Sequence, residues 1–168
     1  MRRSGVRSLL AVALAALCSC FYGFAGGGLP SNVRTVAILP FANETPSPNL
    51  TREVVDVLRR EMRSRLGVRD ASEARADAVV RGTVVRYDVD IPISYTAERN
   101  RNTPTTARRK LQIVVDVEIV EQSTGKTLFQ RKGLTGEAEY AERAEQGGRR
   151  QAIDKIVSDV IEGAQSQW

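Results

Sequence analysis

The spacing of apolar residues switches between strand and helix periods along this chain, and the switches divide it into elements. Val33 to Phe41 is almost unbroken apolar and β-branched sequence closed by Pro40, which predicts a buried strand with both faces at least partly covered. From Leu50 the apolar positions fall at Val54, Val57, Leu58, Met62 and Leu66, a helical spacing that Gly67 is placed to stop. Ser47 ahead of Pro48, or Asn49, stands where the helix needs a cap. Alternation returns in a long strand over Ala76–Tyr95, where Gly82 marks a bulge or a close backbone approach and Pro92 marks an edge or an exit from the sheet. In the next strand Leu111, Ile113, Val115, Val117 and Ile119 point one way, while Gln112, Asp116 and Glu118 point the other. A turn at Ser123–Lys126 leads into a fourth strand through Leu134. The last element is a helix with its stripe at Ile153, Ile156, Val157, Val160, Ile161 and Ala164; it is expected to begin near Tyr140, with Gly147 and Gly148 in its first turns.

The order β-α-β-β-β-α contains two helices with one apolar stripe each and a sheet with one clean apolar face. Their simplest joint burial is an α+β two-layer sandwich, a four-stranded sheet with both helices on one face. At 168 residues, 42% hydrophobic and 27% charged, the chain has the composition of one globular domain.

The formal charge of +5 is unevenly placed. Arg2, Arg3 and Arg7 precede the uncharged run Leu9–Leu17, a basic segment and a short apolar segment in the order of a secretory signal peptide. The run is far shorter than the roughly 20 residues that span a bilayer as a helix. Loss of those three arginines with the signal lowers the charge to +2. The pI near 9.6 is therefore a poor argument for a nucleic-acid partner, and none is expected.

The two cysteines, Cys18 and Cys20, stand one residue apart, too close in sequence to bridge each other readily. A structural metal site wants about four ligands, and this chain has no histidine and no third cysteine, so no metal is expected. Leu17-Cys18-Ser19-Cys20 resembles the lipobox of bacterial lipoproteins, in which the cysteine that becomes residue one carries diacylglycerol and a further acyl chain. Cys20 fits that place, with Leu17 three before it and small Ser19 just before it; the alternative is a plain secreted protein with an incidental thiol. The implied division is a signal peptide over 1–19, a lipidated Cys20 and flexible tether over 20–32, and one domain over 33–168. By the same resemblance Phe21, standing where an aspartate would retain the protein at the inner membrane, points to the outer one.

Little in the chain marks an enzyme. The histidine that most often serves as general base is missing, and Gly26-Gly27-Gly28 is followed by no Lys-Ser/Thr of a phosphate loop. Asp88 and Asp90, two apart on a strand, share a face and form a candidate carboxylate pair or simply a soluble surface. The most informative segment is 86–110. There Arg86, Arg99, Arg101, Arg108, Arg109 and Lys110 outnumber Asp88, Asp90 and Glu98 and stand beside Tyr87, Tyr95 and Ile91-Pro92-Ile93. Guanidinium forks for phosphate and apolar groups for chains suit an anionic amphiphile. The plainer reading is a hairpin end with solubilising charges.

Cys20-Phe21-Tyr22-Gly23-Phe24, then Gly28-Leu29-Pro30, and Val33 to Phe41 with Asn43-Glu44-Thr45 resemble the start of the lipopolysaccharide-assembly lipoprotein family LptE, in its branch outside the enterobacteria. The helix from Leu50 and the strand from Ala76 are similar to that family in type and order. The resemblance implies a non-catalytic outer-membrane lipoprotein, facing the periplasm, that plugs the β-barrel protein LptD and helps deliver lipopolysaccharide. It implies no cofactor beyond the lipid on Cys20. No motif of the family designates the residues that meet lipopolysaccharide; Arg99, Arg101, Arg108, Arg109 and Lys110 are the candidates from charge. Val36 to Asn43 also resembles the opening strand of CsgG-like and flagellar-accessory lipoproteins, which form secretion or structural rings, and a structural lipoprotein with no ligand is a third reading.

Overall fold

The computed structural model describes residues 28–93, 108–141 and 143–167. Cys20, Arg99 and Arg101 lie outside the described residues. Among the described residues the elements follow in the order β1 (Thr35–Ile38), β2 (Ala42–Asn43), α1 (Leu50–Leu66), β3 (Arg69–Asp70), a 3-10 turn (Glu73–Arg75), β4 (Ala78–Pro92), β5 (Arg108–Glu121), β6 (Thr127–Ala141) and α2 (Glu145–Ser166). The sheet order is β3-β1-β4-β5-β6, with β2 beside β4. β1 is parallel to β3 and β4, and β4, β5 and β6 form an antiparallel meander.

The α+β two-layer class holds. Leu50, Val54, Leu58 and Met62 of α1 and Ile153, Ile156, Val160 and Ile161 of α2 share one buried core with Val80, Val84, Leu111, Ile113, Val115 and Ile119 of the sheet. On the opposite face the buried residues are Ala37, Ala76 and Val79, beneath the segment that carries the 3-10 turn. Val36 and Ala37 thus bury opposite faces of β1, as its unbroken apolar run predicts.

Among the described residues, six strands replace the expected four. The run Val33–Phe41 does not stay one strand: pairing lapses after Ile38 and resumes as β2 against Thr83 and Val84. β2 and β3 are two residues each, too short to show a period. Gly67 ends α1 at φ +67°, the left-handed geometry its type favours. Asn49 occupies the cap position but its side chain makes no capping bond; the Glu53 N–H instead donates to the Asn49 carbonyl at 3.1 Å.

The fourth long strand runs to Ala141, not to Leu134, so α2 begins at Glu145 and Tyr140 belongs to β6. The inward positions of that extension are Leu134, Gly136, Ala138 and Tyr140. Glycine and alanine hide the alternation because they contribute almost no hydrophobic contrast. They are also what the packing demands. A Cβ on Gly136 would lie 2.0 Å from the carbonyl oxygen of Ala152, so α2 rests backbone-on-backbone across β6. Gly82 plays the same part on β4, where an added Cβ would meet the Phe41 ring at 2.3 Å. Close approach, of the two readings of that glycine, is the one the fold uses.

Glu121 ends β5 on the inward side and is buried. Its carboxylate accepts from the Thr124 hydroxyl and the Asn32 side-chain amide, which hold its pKa below the ordinary glutamate value and tie residue 32 to the β5–β6 turn.

Candidate functional site

Two irregularities in β4 build the far end of the β4–β5–β6 meander. Regular pairing carries Val84 opposite Val115, but Arg86 then stands opposite Val114, leaving Val85 as an extra residue. A second extra residue falls between Asp88, opposite Gln112, and Ile91, opposite Lys110. Each bulge exchanges the faces of everything beyond it. The first turns Tyr87 to the helix side, where it meets the core opposite Ile113. The second separates Asp88 from Asp90. The expectation that these two carboxylates share a face is therefore corrected: Asp88 stays on the open face, while Asp90 is drawn to the helix side.

Asp90 adopts φ +62°, a left-handed conformation that costs a non-glycine residue roughly 1–2 kcal/mol and that aspartate tolerates better than most. Its Oδ1 accepts from the Tyr140 hydroxyl at 2.7 Å and faces Nη1 of Arg109 at 3.1 Å, and its N–H donates to the Tyr140 oxygen at 3.3 Å. The Tyr140 hydrogen bond and then Arg109 hold the Asp90 carboxyl below its usual range. Burial first, and the bond to Asp90 second, push the Tyr140 phenol up. Beside this group the Tyr87 hydroxyl donates to Oε1 of Glu145 at 2.7 Å, and Arg149 joins Glu145 at 3.4 Å to Glu53 at 2.9 Å. Burial and the bond to Glu145 push the Tyr87 pKa up to about 12, so the phenol keeps its proton across the physiological range. One polar network thereby ties β4 to both helices.

The described candidate cations lie at the start of β5 and alternate faces. Arg109, two before Leu111, is on the helix side against Tyr140, its register partner. Arg108 and Lys110 are on the open face, where each reaches a glutamate diagonally across β6: Arg108 to Glu139 at 3.5 Å and Lys110 to Glu137 at 2.6 Å. Gln112 adds a 2.9 Å hydrogen bond to Glu137. The structure thus brings Arg108 and Lys110 together on the open face, puts Arg109 on the other, and gives each a carboxylate neighbour. Those carboxylates come from a β6 extension and a bulge that sequence alternation did not reveal. Chemically the patch is a ladder of exchangeable ion pairs beside aliphatic Ile91. Among the described residues, no group of three or more His, Cys, Asp or Glu is arranged to hold a metal ion.

A second concavity, of about 360 Å³, lies between the β1–β2 connection and the start of α1. Ile38, Phe41 and Val55 give it apolar walls, and Arg52 and Arg59 stand at its rim. Arg59 is already engaged by Asp56 at 3.2 Å. Most of the other arginines of α1 also have neighbouring carboxylates: Arg63 with Asp70 at 2.5 Å, Arg65 with Glu162 at 3.5 Å.

Among solved structures, the PelC dodecamer of Paraburkholderia phytofirmans shares the fold at 20% identity, with a TM-score of 0.52 over 80% of this chain and 94% of that one. A Xanthomonas campestris protein does so at 12% identity and a TM-score of 0.53, over 83% and 90%. No curated protein matches the chain by sequence. The family model LptE, described as lipopolysaccharide-assembly, matches residues 33–162, from the start of the first buried strand almost to the end of α2. The chain belongs to that lipopolysaccharide-assembly family, LptE.

Proposed function

We propose that this protein is a lipoprotein of the outer membrane, held by lipid on Cys20 and facing the periplasm, that plugs an LptD-like β-barrel and assists lipopolysaccharide transport and assembly. It performs no catalysis in this reading. The family match over 33–162 carries the proposal. The geometry supports it in two ways. Both helices lie on one side of the sheet, which leaves the paired charges at the far end of β5 and β6 on the other, and the lumen of a large barrel is itself polar. The ladder of Arg108, Arg109 and Lys110, with Arg99 and Arg101 of the same segment, supplies donors for the phosphates of an anionic amphiphile, and Ile91 supplies an apolar neighbour.

A second reading, self-assembly into a ring as in CsgG-like lipoproteins, draws on the fold shared with the PelC dodecamer. Capture of the C-terminally tagged protein from detergent-solubilised envelopes, with mass identification of its companions, separates the two. A single large β-barrel at about equal stoichiometry is the expected result. Recovery of a ring of self-copies favours the second reading, and recovery of the protein alone removes both.

A further inference from the structure

Asp90 and Arg143 are the non-glycine residues with positive φ among the described residues, and Asp90 is the one placed inside a strand. Three contacts converge to keep it there: the Tyr140 hydroxyl on Oδ1, the Asp90 N–H on the Tyr140 oxygen, and Arg109 on Oδ1. Tyr140 is itself fixed, 7% exposed, with its Cβ so close to α2 that a Cβ on Gly148 would approach it to 3.1 Å. The chain of contacts therefore runs from α2 through Tyr140 to Asp90 and on to Arg109. Its effect on β4 is to turn Val89 outward, where it is 40% exposed, the exposed large hydrophobic residue among those described, and to set Ile91 opposite Lys110 on the open face. Backbone strain at a residue that no catalytic or metal chemistry requires persists only where the surroundings over-determine it. Bulges of this kind re-aim side chains.

We propose that Asp90 and Tyr140 form a latch that positions the amphiphile site: by holding the second bulge of β4 closed, it sets aliphatic Ile91 beside Lys110 on the open face, next to exposed Val89, for one ligand. Asp90 and Tyr140 are positioning residues, acting through the bulge, with Arg109 bracing Asp90 from the helix side. The inference rests on the lipopolysaccharide reading for the ligand but not for the latch itself.

The test uses the full chain and three variants. Tyr140→Phe removes one oxygen and leaves the packing. Asp90→Ala removes the acceptor and disfavours the left-handed backbone. Asp90→Asn keeps an acceptor for the Tyr140 hydroxyl and tolerates positive φ. Backbone hydrogen exchange over 86–91 and 108–112 reports the latch, and binding to purified lipopolysaccharide reports the site. Tyr140→Phe and Asp90→Ala are expected to speed exchange in both windows and weaken binding by about tenfold, the size of a lost hydrogen bond to a charged group. Asp90→Asn is expected to restore protection and most of the affinity, which a loss of packing alone would not allow. Wild-type exchange and wild-type affinity in both disrupting variants overturn the latch, as does an Asp90→Asn variant no better than Asp90→Ala. A wild-type protein that binds no lipopolysaccharide removes the ligand reading, and the exchange pattern then upholds or overturns the latch alone.

Discussion

Thr35 and Asp77, at the entrances to β1 and β4, grip each other from both sides. Oδ2 of Asp77 accepts from the Thr35 N–H at 2.8 Å and from its hydroxyl at 2.7 Å, while the Asp77 N–H donates to the Thr35 carbonyl and hydroxyl oxygens, each at 3.0 Å. The Arg34 N–H adds a further donor to Oδ2 at 2.9 Å. The Thr35 hydroxyl first, and the two backbone N–H groups next, hold the Asp77 carboxyl below its ordinary 3.8. A carboxylate depressed in the folded state contributes stability that is fully present above the unfolded value and is lost as pH falls through the folded one. Asp77→Asn is therefore expected to melt lower than wild type at neutral pH, with the gap closing as pH drops below 3.8. Thermal unfolding followed by circular dichroism across that range checks this; a gap that stays constant into acid would refute the assignment. Asp90 and Glu121 have the same sign, so the wild-type-minus-variant difference, not the wild-type curve, is the quantity to read.

Gly136→Ala tests the backbone contact between β6 and α2. The added methyl has no room against the Ala152 carbonyl, and the expected cost is about 1–3 kcal/mol, as for other overpacked cores. Gly147→Ala is the matched control in the first turn of α2, with nothing within 4 Å of its Cβ and an expected gain of about 0.5–1 kcal/mol. Denaturant midpoints for the pair should move in opposite directions.

Charge reversal at Arg108 and Arg109 addresses the site. Glutamates there would face Glu139 and Asp90 in place of pairing with them. The expected result is a loss of lipopolysaccharide association of about tenfold or more. Undiminished binding of the doubly reversed, folded protein would move the site elsewhere, with the Arg52–Arg59 cleft the next place to look.

Cys20→Ala addresses the anchor. On the lipoprotein reading, the variant expressed without a barrel partner is expected in the soluble periplasmic fraction, because two or three acyl chains at about 0.8 kcal/mol per buried methylene would be what holds the wild type to a membrane. Tight membrane fractionation of the variant under those conditions would count against lipidation.

Much of the fold was legible because β5 and both helices write their burial in large side chains. Every inward position of β5 from Leu111 to Ile119 is buried as alternation predicts, and Ile153, Ile156, Val157, Val160, Ile161 and Ala164 all enter the core. What was not legible depended on small residues and on backbone register. Gly136 and Ala138 concealed half of β6, and with it Glu137 and Glu139, the partners of the predicted cations. The bulges at Val85 and near Asp90 contain no glycine, so strict alternation assigned Asp88 and Asp90 to one face. The weak signal available was Asp90 itself, an aspartate being among the few residues that enter left-handed backbone readily.

A cation that already has a carboxylate across the strand is half of a dipole, and a dipole's field fades faster with distance than a lone charge's. With a screening length of about 8 Å at physiological salt, the ladder of Arg108 with Glu139 and Lys110 with Glu137 reaches little beyond its own surface. On the lipopolysaccharide reading, a phosphate is thus taken up by partner exchange at contact and not drawn in from afar. The reverse step is equally easy, since a departing phosphate leaves no bare cation behind: Glu137 and Glu139 close over the vacancy. On that same reading, in which a lipid is passed onward, ready release matters as much as capture.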